Sequence, residues 1–297
     1  MKPSYHAHVW KPVLTTLLVS LVLAPVAATA AQLRVAKVVA LPAVDGRADD
    51  PAWSGAQPLV VQDAVAGIPI ELRAVYSNDE IFVLARYPDD TENRVHKALV
   101  WNAERGIYEM GPTREDTLVL KWNMSPYDVD LTLSSEQPYK ADIWFWKANR
   151  TDSIGFADDK YHFYSSQRLQ KAKVLISNNG ALFYLKRQGD AGRSAYKSLL
   201  YSERVGDTVR KFENRTPEAS RADAKAKGRW HAGEWTIEFR RRLNTGHGDD
   251  LQFDPTHQYQ FGVSRFEVAG RKPDPTTEQP NHGAGEIGKV ITLVFEQ

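Results

Sequence analysis

One stretch concentrates side chains that could do chemistry. Ala141-Asp142-Ile143-Trp144-Phe145-Trp146-Lys147-Ala148-Asn149-Arg150-Thr151-Asp152 sets aromatic, cationic and acidic groups close together. On a strand, Trp144 and Trp146 point to one face while Phe145 and Lys147 point to the other. Two indoles on one face can fill a core, wall a planar cofactor or stack on a sugar ring. Lys147 and Arg150 lie close enough along the chain to meet acidic substituents of such a ligand. The other reactive types are scattered. His96, His162, His231, His247 and His257 show no H-x-x-x-H or H-E-x-x-H spacing, so zinc-hydrolase chemistry has no support. Ser125, Ser194 and Ser264 lack a G-x-S-x-G frame, and no phosphate-cradling glycine-rich loop follows a strand. The acid pairs Asp49-Asp50, Asp158-Asp159 and Asp249-Asp250 are adjacent in sequence, a spacing typical of turns and caps that can also hold structural Ca²⁺.

Composition narrows the field further. The 297 residues contain no cysteine, which excludes disulfides, Cys-zinc sites, iron–sulfur clusters on Cys, a thiol nucleophile and thioether-attached haem. Lys and Arg number 38 against 37 Asp and Glu, so bulk nucleic-acid binding is disfavoured. Residues 1–30 read as a secretory signal peptide. Lys2 and Lys11 precede the apolar run Val13–Ala24, and Ala28-Thr29-Ala30 offers a small-x-small cleavage site. The run stops at Pro25, short of the roughly 20 residues needed to span a bilayer. The expectation is a periplasmic or secreted protein with no membrane span after cleavage.

The elements that must position these residues read as strands. Ile70–Tyr76 and Ile81–Tyr87 flank the turn-formers Ser77-Asn78-Asp79-Glu80 and predict a hairpin. Thr117–Trp122, Asp142–Trp146, Val174–Ser177, Ala181–Lys186, Trp235–Arg240, Tyr259–Phe266 and Val290–Phe295 continue the pattern. Short strands, frequent turns and no long 3.6-residue period predict an all-β fold, an antiparallel β-sandwich with long loops and few short helices, as one domain over 31–297. Residues 186–229 differ: basic, polar and poor in apolar runs, they read as a solvated excursion or as a basic lip for an acidic partner.

Val44-Asp45-Gly46-Arg47-Ala48-Asp49-Asp50-Pro51-Ala52-Trp53 combines an Asp-Gly turn, an acidic cap, Pro at the first helical position and a Trp plug. This D-G-x-x-D-D-x-x-W opening resembles those of family-9 carbohydrate-binding modules and of haem-binding domains of the ethylbenzene dehydrogenase type. The D-I-W-x-W-K-A-x-R-T-D stretch resembles the latter more specifically. Glu115-Asp116-Thr117 to Trp122-Asn123 and Gly233-Glu234-Trp235-Thr236-Ile237-Glu238 extend the likeness over most of residues 40–295. The resemblance implies an exported sandwich that holds one haem and exchanges electrons with a partner, a molybdenum enzyme or a multihaem cytochrome, without turnover of its own. It places Trp144 and Trp146 on the pocket wall and Lys147 and Arg150 on the haem propionates.

Ligation departs from the family pattern. The C-x-x-C-H attachment of some relatives is impossible without cysteine, and residues 125–141 contain neither the Met of others nor a His. Met124 is the nearest thioether, with Met110 next, and Lys272 or His282 is the matching C-terminal donor for noncovalent haem b. Two alternatives stand beside the electron-transfer reading: a module binding sugar on exposed aromatics, and a haem-free scaffold or partner subunit of the same fold. A haem site requires a deep slot with an unpaired Met, His or Lys facing the Trp wall. A sugar site requires a shallow groove with exposed indoles, and a scaffold requires fully packed Trp side chains.

Overall fold

Alternating apolar residues give β1 (Ala31–Lys37), β2 (Leu59–Asp63), β3 (Ile68–Tyr76) and β4 (Glu80–Pro88), with one helical turn, α1 (Pro51–Ser54), before β2. A side hairpin, β5 (Leu99–Asn102) and β6 (Ile107–Met110), precedes β7 (Thr117–Asn123), β8 (Tyr139–Lys147) and β9 (Asp158–Ser165). Next come β10 (Lys173–Ile176), β11 (Leu182–Gly189), β12 (Tyr196–Ser198), β13 (Thr208–Val209) and β14 (Phe212–Asn214). The chain closes with β15 (Lys225–His231), β16 (Glu234–Arg242), β17 (Gln258–Ser264) and β18 (Ile291–Phe295). The computed structural model describes residues 31–63, 67–265 and 290–296, besides Met1. The expected signal peptide, Lys272 and His282 lie outside the described residues.

Among the described residues, thirteen strands form one sheet: twelve follow the path β10-β11-β9-β8-β7-β17-β18-β1-β3-β4-β16-β15, and β2 pairs with β3 off that path. The predicted hairpin is present, Tyr76 opposite Ile81 across its turn. Pairing is antiparallel except at β1, which runs parallel to both neighbours, Val35 opposite Phe295 of β18 on one side and Ala74 of β3 on the other. The path folds back on itself into two facing layers. Trp146 of β8 and Trp235 of β16, far apart along it, stack edge-on with centroids 4.8 Å apart. The main core fills the space between the layers and draws on β1, β3, β4, β7, β8, β15, β16, β17 and β18. A second core, with Ile143, Phe145, Tyr164 and Phe183, lies on the outer face of β7, β8, β9 and β11 beneath residues 129–133. A third sits under Trp53 on the outer face of β3 and β4.

Residues 186–229 supply the end of β11, then β12, β13, β14 and the start of β15. β12 pairs with β14, and β13 extends the side hairpin through β5. Several of the segment's cations pair with acids, Lys197 with Glu213 at 2.7 Å and Arg204 with Asp207 at 2.6 Å.

Candidate functional site

β8 emerges from the sheet into a turn at Ala148–Thr151, and this end gathers the residues with chemical potential. Alternation along β8 sends Trp144 and Trp146 into the main core and Phe145 into the second, the facing expected of a strand. Both indoles are completely buried. Trp144 lies against Trp122 at 5.0 Å and Phe253 at 6.1 Å, with the Arg241 guanidinium 4.8 Å above its ring. Trp146 packs on Trp235, and its edge presses on Gly228 so closely that a Cβ there would fall 2.4 Å from the indole. The indole N–H of Trp146 donates to Asp152 at 2.9 Å. The two rings therefore plug the interlayer core instead of forming an open wall.

The cations beside them are also engaged. Lys147, 1% exposed, makes a short ion pair with Asp158 and donates to the Tyr196 hydroxyl at 3.1 Å. Despite the burial, Lys147, Lys160 and Arg221 hold the Asp158 carboxyl well below the usual carboxylate range. Arg150 forms a short ion pair with buried Glu115 and lies between the rings of Tyr196 and Phe212, at 5.1 and 5.2 Å. Glu115 also accepts the backbone N–H groups of Asn149 at 2.7 Å and Arg150 at 3.0 Å. Asp152 accepts from Trp146, from the Gly228 backbone N–H at 2.6 Å and from Arg94 at 2.7 Å.

Asp116 ties in the second layer, accepting from the Trp235 indole at 3.0 Å and the Asn93 backbone N–H at 2.7 Å. Burial first, and then the neighbouring Asp89 carboxylate, pushes its carboxyl up to about 7. Burial also lowers the pKa of His96, helped by the nearby charges of Arg150, Lys97 and Arg114. Its Nδ1 accepts the Glu115 backbone N–H at 3.4 Å, so the neutral ring is the folded form.

The D-G opening belongs to the same internal framework. Glu238 of β16, fully buried, accepts the backbone N–H groups of Asp45 at 2.9 Å and Gly46 at 2.7 Å with one oxygen, and the Trp53 indole at 2.8 Å with the other. Gly46 adopts φ +82°, and a Cβ would fall 2.8 Å from the Arg229 backbone nitrogen.

Haem requires a slot and uncommitted donors. The described residues around Trp144 and Trp146 do not fit it, because the rings are enclosed and Lys147 and Arg150 already hold buried carboxylates. Met124, just past β7 at the opposite end of the β7–β8 pair, is partly exposed. It borders an open, largely apolar groove of about 470 Å³, lined in part by Tyr127, Pro138, Phe163, Lys140 and Lys186. Met110, exposed on β6, contacts Lys211 at 3.7 Å. Among the described tryptophans, Trp101 and Trp230 retain partial exposure. Trp101 sits edge-on to Tyr108, and Trp230 donates to the Asp89 carbonyl at 2.8 Å.

A second polar cluster, which spacing did not assemble, lies across β8, β9 and the β16–β17 loop. Asp142 and Asp159 are fully buried, Asp190 is 5% exposed and Asp250 4%, and the buried guanidinium of Arg241 lies beside Asp142, Asp159 and Asp250. Burial, followed by repulsion from Asp142, Asp249 and Asp250, pushes Asp190 up to about 9. Of the sequence's acid pairs, only Asp159 and Asp250 enter this group. Asp158 pairs with Lys147, Asp249 accepts from Ala191 and Ser220, and Asp50, which makes no side-chain cap to α1, accepts the Ala43 backbone N–H.

Fold and site together define an all-β sandwich whose motif residues bond chiefly to one another. The chain belongs to the ethylbenzene dehydrogenase family, whose model matches residues 50–272. No curated protein matches it. Among solved structures it is similar to a family-9 carbohydrate-binding module from Caldicellulosiruptor kristjanssonii in complex with glucose. The identity is 10% over 89% of this chain and 95% of that one, with a TM-score of 0.39. The cellotriose complex of such a module from the same organism gives 11% identity, 90% and 95% coverage, and a TM-score of 0.38. No helix among the described residues is long and apolar enough to cross a membrane.

Proposed function

We propose that this chain is an exported, non-catalytic accessory domain for electron transfer that carries a b-type haem beside Met124, away from Trp144 and Trp146. Its partner would be a redox enzyme, a molybdenum enzyme or a multihaem cytochrome. The observation that carries the reading is the groove at Met124. It joins a reachable thioether, a soft axial donor, to an apolar lining with Lys140 and Lys186 for propionates. Family membership supports the accessory role, and Lys272 or His282 would complete the ligand pair. Haem would supply one-electron chemistry; this chain's own part would be an apolar seat, an axial donor and cationic anchors.

Titration of the purified chain with hemin, followed by ultraviolet–visible spectra before and after dithionite, tests this. The expected result is a Soret band with sharpened reduced α and β bands, lost in Met124→Ala and in one of Lys272→Ala or His282→Ala. A Soret band indifferent to Met124→Ala would overturn the placement. No Soret band at all would leave the haem-free partner subunit, a reading favoured by the closure of Trp144 and Trp146 inside the core.

A further inference from the structure

We propose that the carboxylates of Asp142, Asp159 and Asp250, with Asp190 beside them, bind one calcium ion. Oxygen atoms of the first three all lie within 4.8 Å of one another. Ligands around calcium sit 2.3–2.6 Å from the ion, so two oxygens on one ion are at most about 5 Å apart. The donor set is oxygen only, which suits a hard cation and disfavours zinc or copper. Magnesium sheds its water reluctantly and seldom occupies an all-carboxylate cage.

Six oxygen atoms of these four side chains are buried without a hydrogen-bond donor among the described residues: Oδ1 of Asp142, Oδ1 of Asp159, and both oxygens of Asp190 and of Asp250. Asp190 decides the matter. Its two unpartnered oxygens are buried against Asp142, Asp159, Asp249 and Asp250, an arrangement that like charges resist. The Arg241 guanidinium pairs closely with Asp142 and stands 3.6 Å from Asp250. A single positive charge cannot neutralise four ionised carboxylates, so these oxygens are either held neutral by protons or matched by a further cation.

The framework also orients the donors. Oδ2 of Asp142 accepts from Arg241 and from the Leu251 backbone N–H at 3.0 Å, and Oδ2 of Asp159 accepts the Ala224 backbone N–H at 3.0 Å. In each case the other oxygen remains for a ligand, the arrangement by which outer contacts fix metal-binding carboxylates. Asp250 also neighbours Asp223 and His247, but these two bond each other at 2.6 Å. Two ligands come from strands β8 and β9 and one from the β16–β17 loop, so the ion would fasten that loop to the sheet.

The purified chain, stripped with a chelator, is dialysed against calcium and titrated with terbium, whose emission is excited through Trp144. The expected results are one calcium per chain, terbium emission displaced by calcium but not by equimolar magnesium, and a melting temperature raised by calcium. Asp159→Asn and Asp190→Asn should each weaken calcium binding at least about tenfold. In chelator each should melt no lower than the parent, because the oxygens it alters have no hydrogen-bond partner to lose. No calcium bound at millimolar concentration by the folded parent overturns the proposal, as does binding that neither variant weakens. Should one variant fail to fold, the parent's stoichiometry and the other variant still decide.

Discussion

Glu115, Asp152 and Glu238 each gather donors from segments far apart in sequence, and each carries charge into the interior only because several N–H groups meet it there. That explains why the motif residues sit where they do without any ligand. Asp152 needs the Trp146 indole, Glu115 needs the Asn149–Arg150 turn, and Glu238 needs Gly46 and Trp53. Residue type and alternation correctly put the two indoles on one face of β8. What the sequence could not reveal was their covering, since Gly228, Trp235 and Arg241 come from β15 and β16, more than eighty residues downstream. His96 offers a test with a definite sign. An unfolded His takes up a proton near pH 6.5, whereas the buried ring resists it, so this group's stabilising contribution is present above that pH and lost as pH falls through it. Urea unfolding of the parent and of His96→Gln should show the parent losing stability relative to the variant between about pH 7.5 and 5.5. Parallel pH profiles would show that His96 titrates alike in both states.

At the scale of elements, strands with apolar or strictly alternating sequences were legible: β3, β4, β7, β8, β10, β11, β16, β17 and β18 fall on or within a few residues of the expected stretches. β15 was hidden in the basic segment. Its sequence KAKGRWH sends Ala226, Gly228 and Trp230 inward and the cations outward, so Trp230 alone gives the inward face bulk to advertise it. The reason is Trp146, which occupies the volume that side chains of β15 would otherwise fill. Gly228→Ala should therefore destabilise the chain by about 1–3 kcal/mol through overpacking, read as a lower denaturant midpoint with an unchanged slope. Wild-type stability would mean that Trp146 can shift at no cost. The second polar cluster escaped notice for a similar reason, since Asp142, Asp159, Asp190 and Asp250 become neighbours only when β8, β9, the end of β11 and the β16–β17 loop are assembled.

For the whole molecule, β1 is the strand that joins the two halves of the path, hydrogen-bonded in parallel to β18 on one side and β3 on the other. Leu33 and Val35 are fully buried in the shared core. Unfolding should accordingly be one cooperative transition, with tryptophan fluorescence and far-ultraviolet dichroism coincident. A chain lacking residues 1–37 should lose that transition, whereas one lacking only residues 1–30 should keep it; a truncated chain with unaltered cooperativity would show that β18 and β3 close without β1. The same strand orders events in time. Its partner β18 is made after every other described strand, so the seam between the halves stays open until β18 itself has been made. Up to that moment the β18 edge of β1 lacks its native neighbour, and the two layers can close along this seam only once β18 has been made.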